Sequence, residues 1–124
     1  MATNKATNVK HEEDIVRPIT LRNTEENLEY VLEFDRESVK FAESKGFRLE
    51  DVANFPMVKI PEFFWYAFRM HHPNMSKGKA ERILYEELGG VPEGLIDRLA
   101  KLYTLPFEAL TKGEEKNARM TVEF

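Results

Sequence analysis

The chain has no cysteine. Disulfides, thiolate metal sites and cysteine nucleophiles are therefore excluded, and the composition suits a reducing compartment such as the cytoplasm. It has no surplus of positive charge either. Eighteen Lys and Arg stand against 22 Asp and Glu, a formal net charge of -4, with the two signs interleaved. A surface that tracks phosphates needs clustered Lys and Arg, so no nucleic-acid partner is expected. Long apolar runs are missing as well. The longest lies around residues 60–68, is interrupted by Glu62 and closes at Arg69. That is far short of the roughly 20 residues a membrane span needs, so no membrane partner is expected. The first residues, "MATNKATNVKHEEDIVRP", carry no apolar stretch of the kind a secretory signal requires.

Motifs of catalysis are absent too. No serine sits in a G-x-S-x-G elbow, and there is no G-x-G-x-x-G or Walker loop. Gly89, Gly90 and Gly94 follow a helical pattern, not a strand, and read as a helix stop and turn. Glu12 with Glu13, Glu86 with Glu87 and Glu114 with Glu115 are adjacent acids that read as solvated faces. His71 and His72 are neighbours, and helical side chains at i and i+1 diverge by about 100°, so the pair cannot chelate one metal. The third histidine, His11, lies in a polar N-terminal segment, whereas zinc sites usually need three or four ligands. No enzyme, metal or cofactor is expected. His71 is placed at a helix end near the core and His72 in solvent.

What the chain does have is aromatics. "IPEFFWYAFRMHHP", residues 60–73, puts Phe63, Phe64, Trp65, Tyr66 and Phe68 close together. Ile60, Phe63, Phe64, Ala67, Phe68 and His71 follow the i, i+3, i+4, i+7 template of an amphipathic helix. Pro61 fits its first turn and Pro73 ends it. Trp65, Tyr66 and Met70 project off that face. A helix apolar almost all round is either central in a bundle or covered by a second chain. Trp, Tyr and Met are favoured at interface centres, which makes Trp65, Tyr66 and Met70 candidate partner-binding residues beside the core-helix alternative.

The remaining elements follow from the pattern. Ile19 and Leu21 alternate with Thr20 and Arg22, "NTEEN" is turn chemistry, and Leu28, Tyr30, Leu32 and Phe34 alternate again. This predicts a β-hairpin whose apolar face must lie on something. Asp35 is a good N-cap for a short helix with Val39 and Ala42 inward, and Gly46 is suited to end it. A helical turn and a stop before Pro56 follow. Ser76 caps a helix with an Ala80, Ile83, Leu84 and Leu88 stripe that terminates at Gly89 and Gly90. A last helix carries Leu95, Ile96, Leu99, Leu102 and Tyr103, and Pro106 is expected to kink or break it. Met120, Val122 and Phe124 alternate at the end. They are candidate partner-binding residues that would add a strand to a neighbouring sheet edge, with absence of fixed structure as the alternative. The length fits one domain. The expected class is α+β, mainly α: an N-terminal hairpin on a bundle of about four to five helices. Residues 1–16 are expected to be a flexible tail, 17–111 one globular domain and 112–124 a C-terminal tail.

Several of these stretches together carry a resemblance: the hairpin ending in Phe34, the "RESVK" helix closing on Gly46 and Phe47, Pro56 before the aromatic helix that ends in "HHP", and "LYTLPFEAL". From about residue 17 to 124 the chain resembles the small tail-assembly chaperones of long-tailed phages and prophages of Gram-positive bacteria. None of the shared features is catalytic. The resemblance implies a non-catalytic protein of the host cytoplasm that coats the helical tape-measure protein before the tail tube polymerises. It also implies recruitment of tail-tube protein and departure before the virion is complete. Self-association is a further expectation. The alternative is a structural protein of the head-tail joining or tail-completion type that stays in the virion.

Overall fold

The computed structural model describes residues 16–111 and 119–124. The expected tails at 1–16 and 112–124 lie mostly outside that range. Two strands, β1 (Ile19–Asn23) and β2 (Leu28–Leu32), pair antiparallel with Ile19 opposite Leu32 and Leu21 opposite Tyr30. The Asn23 side chain accepts from the N–H groups of Glu25 and Glu26 and so shapes the turn. Ile19, Leu21, Tyr30 and Leu32 share the face that meets the core.

Five helices follow. Helix α1 (Arg36–Ser44) is fixed at both ends by its own sequence. Asp35 accepts from the Ser38 N–H at 2.8 Å, and the Ser38 hydroxyl accepts from the Asp35 N–H at 2.8 Å. At the other end Gly46 adopts φ +86°, Gly46 N–H donates to Glu43 C=O, and Phe47 N–H donates to Ala42 C=O. This is a Schellman closure, and it drops Phe47 into the core. A short α2 (Asp51–Asn54) ends before Phe55, and α3 (Pro56–Phe68) begins at once. Helix α4 (Lys77–Arg82) is capped by Ser76 and runs on as a π-helical turn, Ile83–Glu87, before Gly89 and Gly90. Helix α5 (Leu95–Thr111) completes the fold. The class is α+β, mainly α.

Three boundaries differ from expectation. Helix α3 starts at Pro56, so Pro61 lies inside it and not in its first turn. Proline is at home at the first helical position, and Phe55 before it leaves the helical region, with φ -133° and ψ 62°. Pro106 does not break α5, which runs continuously through it. Leu105 and Phe107 pack against the core on either side of it, which outweighs one lost backbone hydrogen bond. The π turn, closed by Leu88 N–H to Ile83 C=O, brings Leu84 fully inside.

Phe63, Phe64, Ala67 and Phe68 are fully buried at the centre of the core. Leu32 and Phe34 cover them from the hairpin side, Leu84 from the α4 continuation, and Leu99, Leu102 and Tyr103 from α5. Phe63 lies between the rings of Phe34 and Phe47, with Tyr103 edge-on to it. Val16 also packs on the core, one residue ahead of the expected domain start.

Candidate functional site: an apolar outer surface

The second half of α3, from Pro61 to Phe68, is wrapped nearly all round, and this decides where its aromatics go. Tyr66, a candidate for a partner surface beside the core-helix alternative, is only 3% exposed and so belongs to the core. The correction has a structural cause. Phe41 of α1 and Phe47 beyond it close over that side of α3, both edge-on to the Tyr66 ring. Burial pushes the Tyr66 phenol above its ordinary value, with the Glu62 carboxylate adding to the effect. Burial likewise pushes Tyr103 up to about 12, helped by Glu43 and Tyr66. Neither is suited to proton transfer near neutral pH.

Trp65 is half-buried. Its indole N–H donates to Met75 C=O at 2.9 Å, and its ring meets Phe41. Arg69 stacks over the Phe41 ring, its guanidinium carbon 3.7 Å from the ring centroid. Met70 is 38% exposed on a different side of the helix from Trp65. Met120, Val122 and Phe124 are exposed, adopt no regular structure and lie outside the core cluster. The candidates named from the sequence therefore do not form one patch.

The histidines exchange their expected places. His71 is the exposed one, with Nε2 2.8 Å from a Glu33 carboxylate oxygen. His72 turns inward, edge-on to Tyr30 and Phe68, and its Nε2 accepts the Val31 N–H at 3.0 Å. Burial, and secondarily the neighbouring His71, lowers the His72 pKa from its ordinary value. Glu33 N–H donates to Ala67 C=O beside them. The end of α3 and the "HHP" turn thus satisfy the outer edge of β2, a positional role in which the imidazole acts as a backbone acceptor.

Within the helical part of the fold, an apolar stretch is exposed where the sequence pointed to a loop. Phe55 and Val58 are each 59% exposed and Met57 is 81% exposed. Phe55 and Val58 are three positions apart and share a side of α3 with Glu62 and Trp65. Glu62 sits between two lysines, 3.2 Å from Lys59 and 3.7 Å from Lys77. The stripe is thus apolar at its start, charged in the middle and aromatic beyond. A separate apolar depression, about 170 Å³, lies between α1 and the end of α5 and is lined by Val39, Pro106, Phe107 and Leu110 among others. The signal for the first patch was the apolar content of "FPMV", discounted because Pro56 reads as a stop. Among the described residues no group of three acidic or histidine side chains is arranged to hold a metal, and no helix is long and apolar enough to cross a membrane.

These features define a small α+β domain with a well-satisfied interior and an apolar outer stripe. Residues 1–124 match a family described as a domain of unknown function (DUF5055), and the chain belongs to that family. No curated protein and no solved structure gives a significant match.

Proposed function

We propose that the chain is a non-catalytic phage tail assembly chaperone. In this reading it works in the bacterial host cytoplasm, binding the tape-measure protein and tail-tube subunits during tail morphogenesis. The observation that supports this most is the exposed run Phe55, Met57 and Val58 on a domain whose other large apolar groups are mostly covered. An amphipathic helix needs an apolar seat with adaptable lining, and an unbranched methionine between two apolar neighbours supplies one. The depression between α1 and α5 offers a second shallow seat. Two shallow seats favour several weak contacts over one tight one. Weak, repeated contacts let many copies coat a long helix and leave as the tube grows.

The test is affinity capture of a tagged chain from cells with the phage genes induced, with the captured proteins identified by mass spectrometry. A long helical tape-measure protein as the main captured species is expected, with the chain absent from purified virions. Capture of portal or capsid proteins, with the chain retained in virions, would replace the chaperone reading with the head-tail joining one.

A further inference from the structure

The two edges of the hairpin are treated differently. Val31 N–H and Glu33 N–H point away from β1, to His72 and to Ala67. In an antiparallel pair the bonding residues alternate, so Tyr30 and Leu32 are the ones that exchange bonds with Leu21 and Ile19. Thr20 and Arg22 therefore turn their N–H and C=O groups to the far edge of β1. The end of α3 closes the β2 edge, whereas among the described residues nothing pairs with the β1 edge. An unpaired edge is a template for another strand.

The ground beside that edge is hollow. One depression of about 570 Å³ lies between β1 and the start of α5, and another of about 410 Å³ lies between the hairpin turn and the π turn. They share Leu21, and Leu88 and Leu95 lie along them. A strand added to β1 would set alternate side chains into this trough, on the face that Ile19 and Leu21 already occupy. Arg98 reaches over one end, donating to Arg17 C=O at 3.2 Å.

One segment of the chain has the matching form. Met120, Val122 and Phe124 alternate with Thr121 and Glu123, over the same five-residue length as β1, and all three apolar side chains are exposed. Reach argues for a neighbour's copy. Helix α5 starts beside β1, and at about 1.5 Å per residue Thr111 lies about 24 Å farther on. The chain from Thr111 to Met120 spans about 30 Å only at full extension, so its own tail would have to run back almost straight. A second molecule's tail carries no such restriction. From this geometry we infer that Met120–Phe124 of one copy adds as a third strand to β1 of a second copy. The exchange is reciprocal, which closes a two-fold dimer and doubles the buried apolar surface.

This inference is independent of the identity of any tail protein, so its failure leaves the chaperone reading standing. The test is sedimentation equilibrium over a wide range of protein concentration, with circular dichroism as the check on folding. The intact chain is expected to pass from monomer to dimer as concentration rises. Val122→Asp with Phe124→Asp removes the donor, and Thr20→Pro removes an N–H that the hairpin itself does not use. Each folded variant is expected to stay monomeric at concentrations where the intact chain is dimeric. A strictly monomeric intact chain overturns the proposal. So does a dimer that persists in the tail variant, whose substitutions lie outside the core and leave folding intact.

Discussion

Phe64 and Tyr66 stand two positions apart on α3 and both are buried, although only one of them lies on the stripe that a 3.6-residue period marks. Phe64→Ala is expected to cost about 3–5 kcal/mol in chemical denaturation, as for a buried aromatic truncation. Tyr66→Ala should cost a similar amount, about 3 kcal/mol or more. A near-neutral value for Tyr66→Ala would return that residue to the surface. Phe64 was legible in the sequence because its neighbours at i+4 and i-1 are apolar too. Tyr66 was not, because Phe41 and Phe47, which cover it, come from segments far away in sequence. The same holds for His72, whose partner Val31 lies 41 residues away. Its lowered pKa means the unfolded chain binds the proton more tightly than the folded one. Stability from this group is therefore complete above the unfolded value of about 6.5 and falls as pH drops through the lower folded value. Denaturation midpoints measured from pH 7.5 downward should decline across that window. They should decline less in His72→Gln, whose side-chain oxygen can still accept the Val31 N–H.

At the scale of elements, local chemistry set the ends that could be read. Asp35, Ser38 and Gly46 specify α1 without help from the rest of the fold. Asp35→Ala should lower stability by about 1 kcal/mol through the lost cap. Gly46→Ala should cost about 1 kcal/mol, because nothing crowds the new methyl group and the φ of +86° alone opposes it. Comparable losses by urea denaturation would place both costs in the caps. A loss several-fold larger at Gly46 would mean that packing around Phe47 had moved. The hairpin and the Ser76 cap were equally legible. The start of α3, the continuity of α5 and the π turn were not. Pro56 ends one element and begins the next, and only Phe55 between them leaves the helical region. Pro106 is carried by tertiary packing that a local rule does not contain.

At the scale of the molecule, one aromatic helix serves as the axis and the hairpin, α1, the α4 continuation and α5 are laid around it. That arrangement answers where most of the aromatics go and leaves the apolar groups at the start of α3 outside. The class and the core stripe were readable from alternation and period. The outer patch was not, because exposure depends on which neighbours stop short of it. The proposed function rests on that patch, and charge at Met57 and Val58 should abolish partner binding with little change in stability, since both side chains are already in water. The measurement that tests this most directly is quantitative capture from phage-induced cells by the intact chain and by Met57→Glu with Val58→Glu. Both proteins are first shown by circular dichroism to unfold at the same temperature. The account predicts that a tape-measure protein is retained by the intact chain and falls at least tenfold with the variant. Equal retention by the two, or no long helical protein on either, would contradict it.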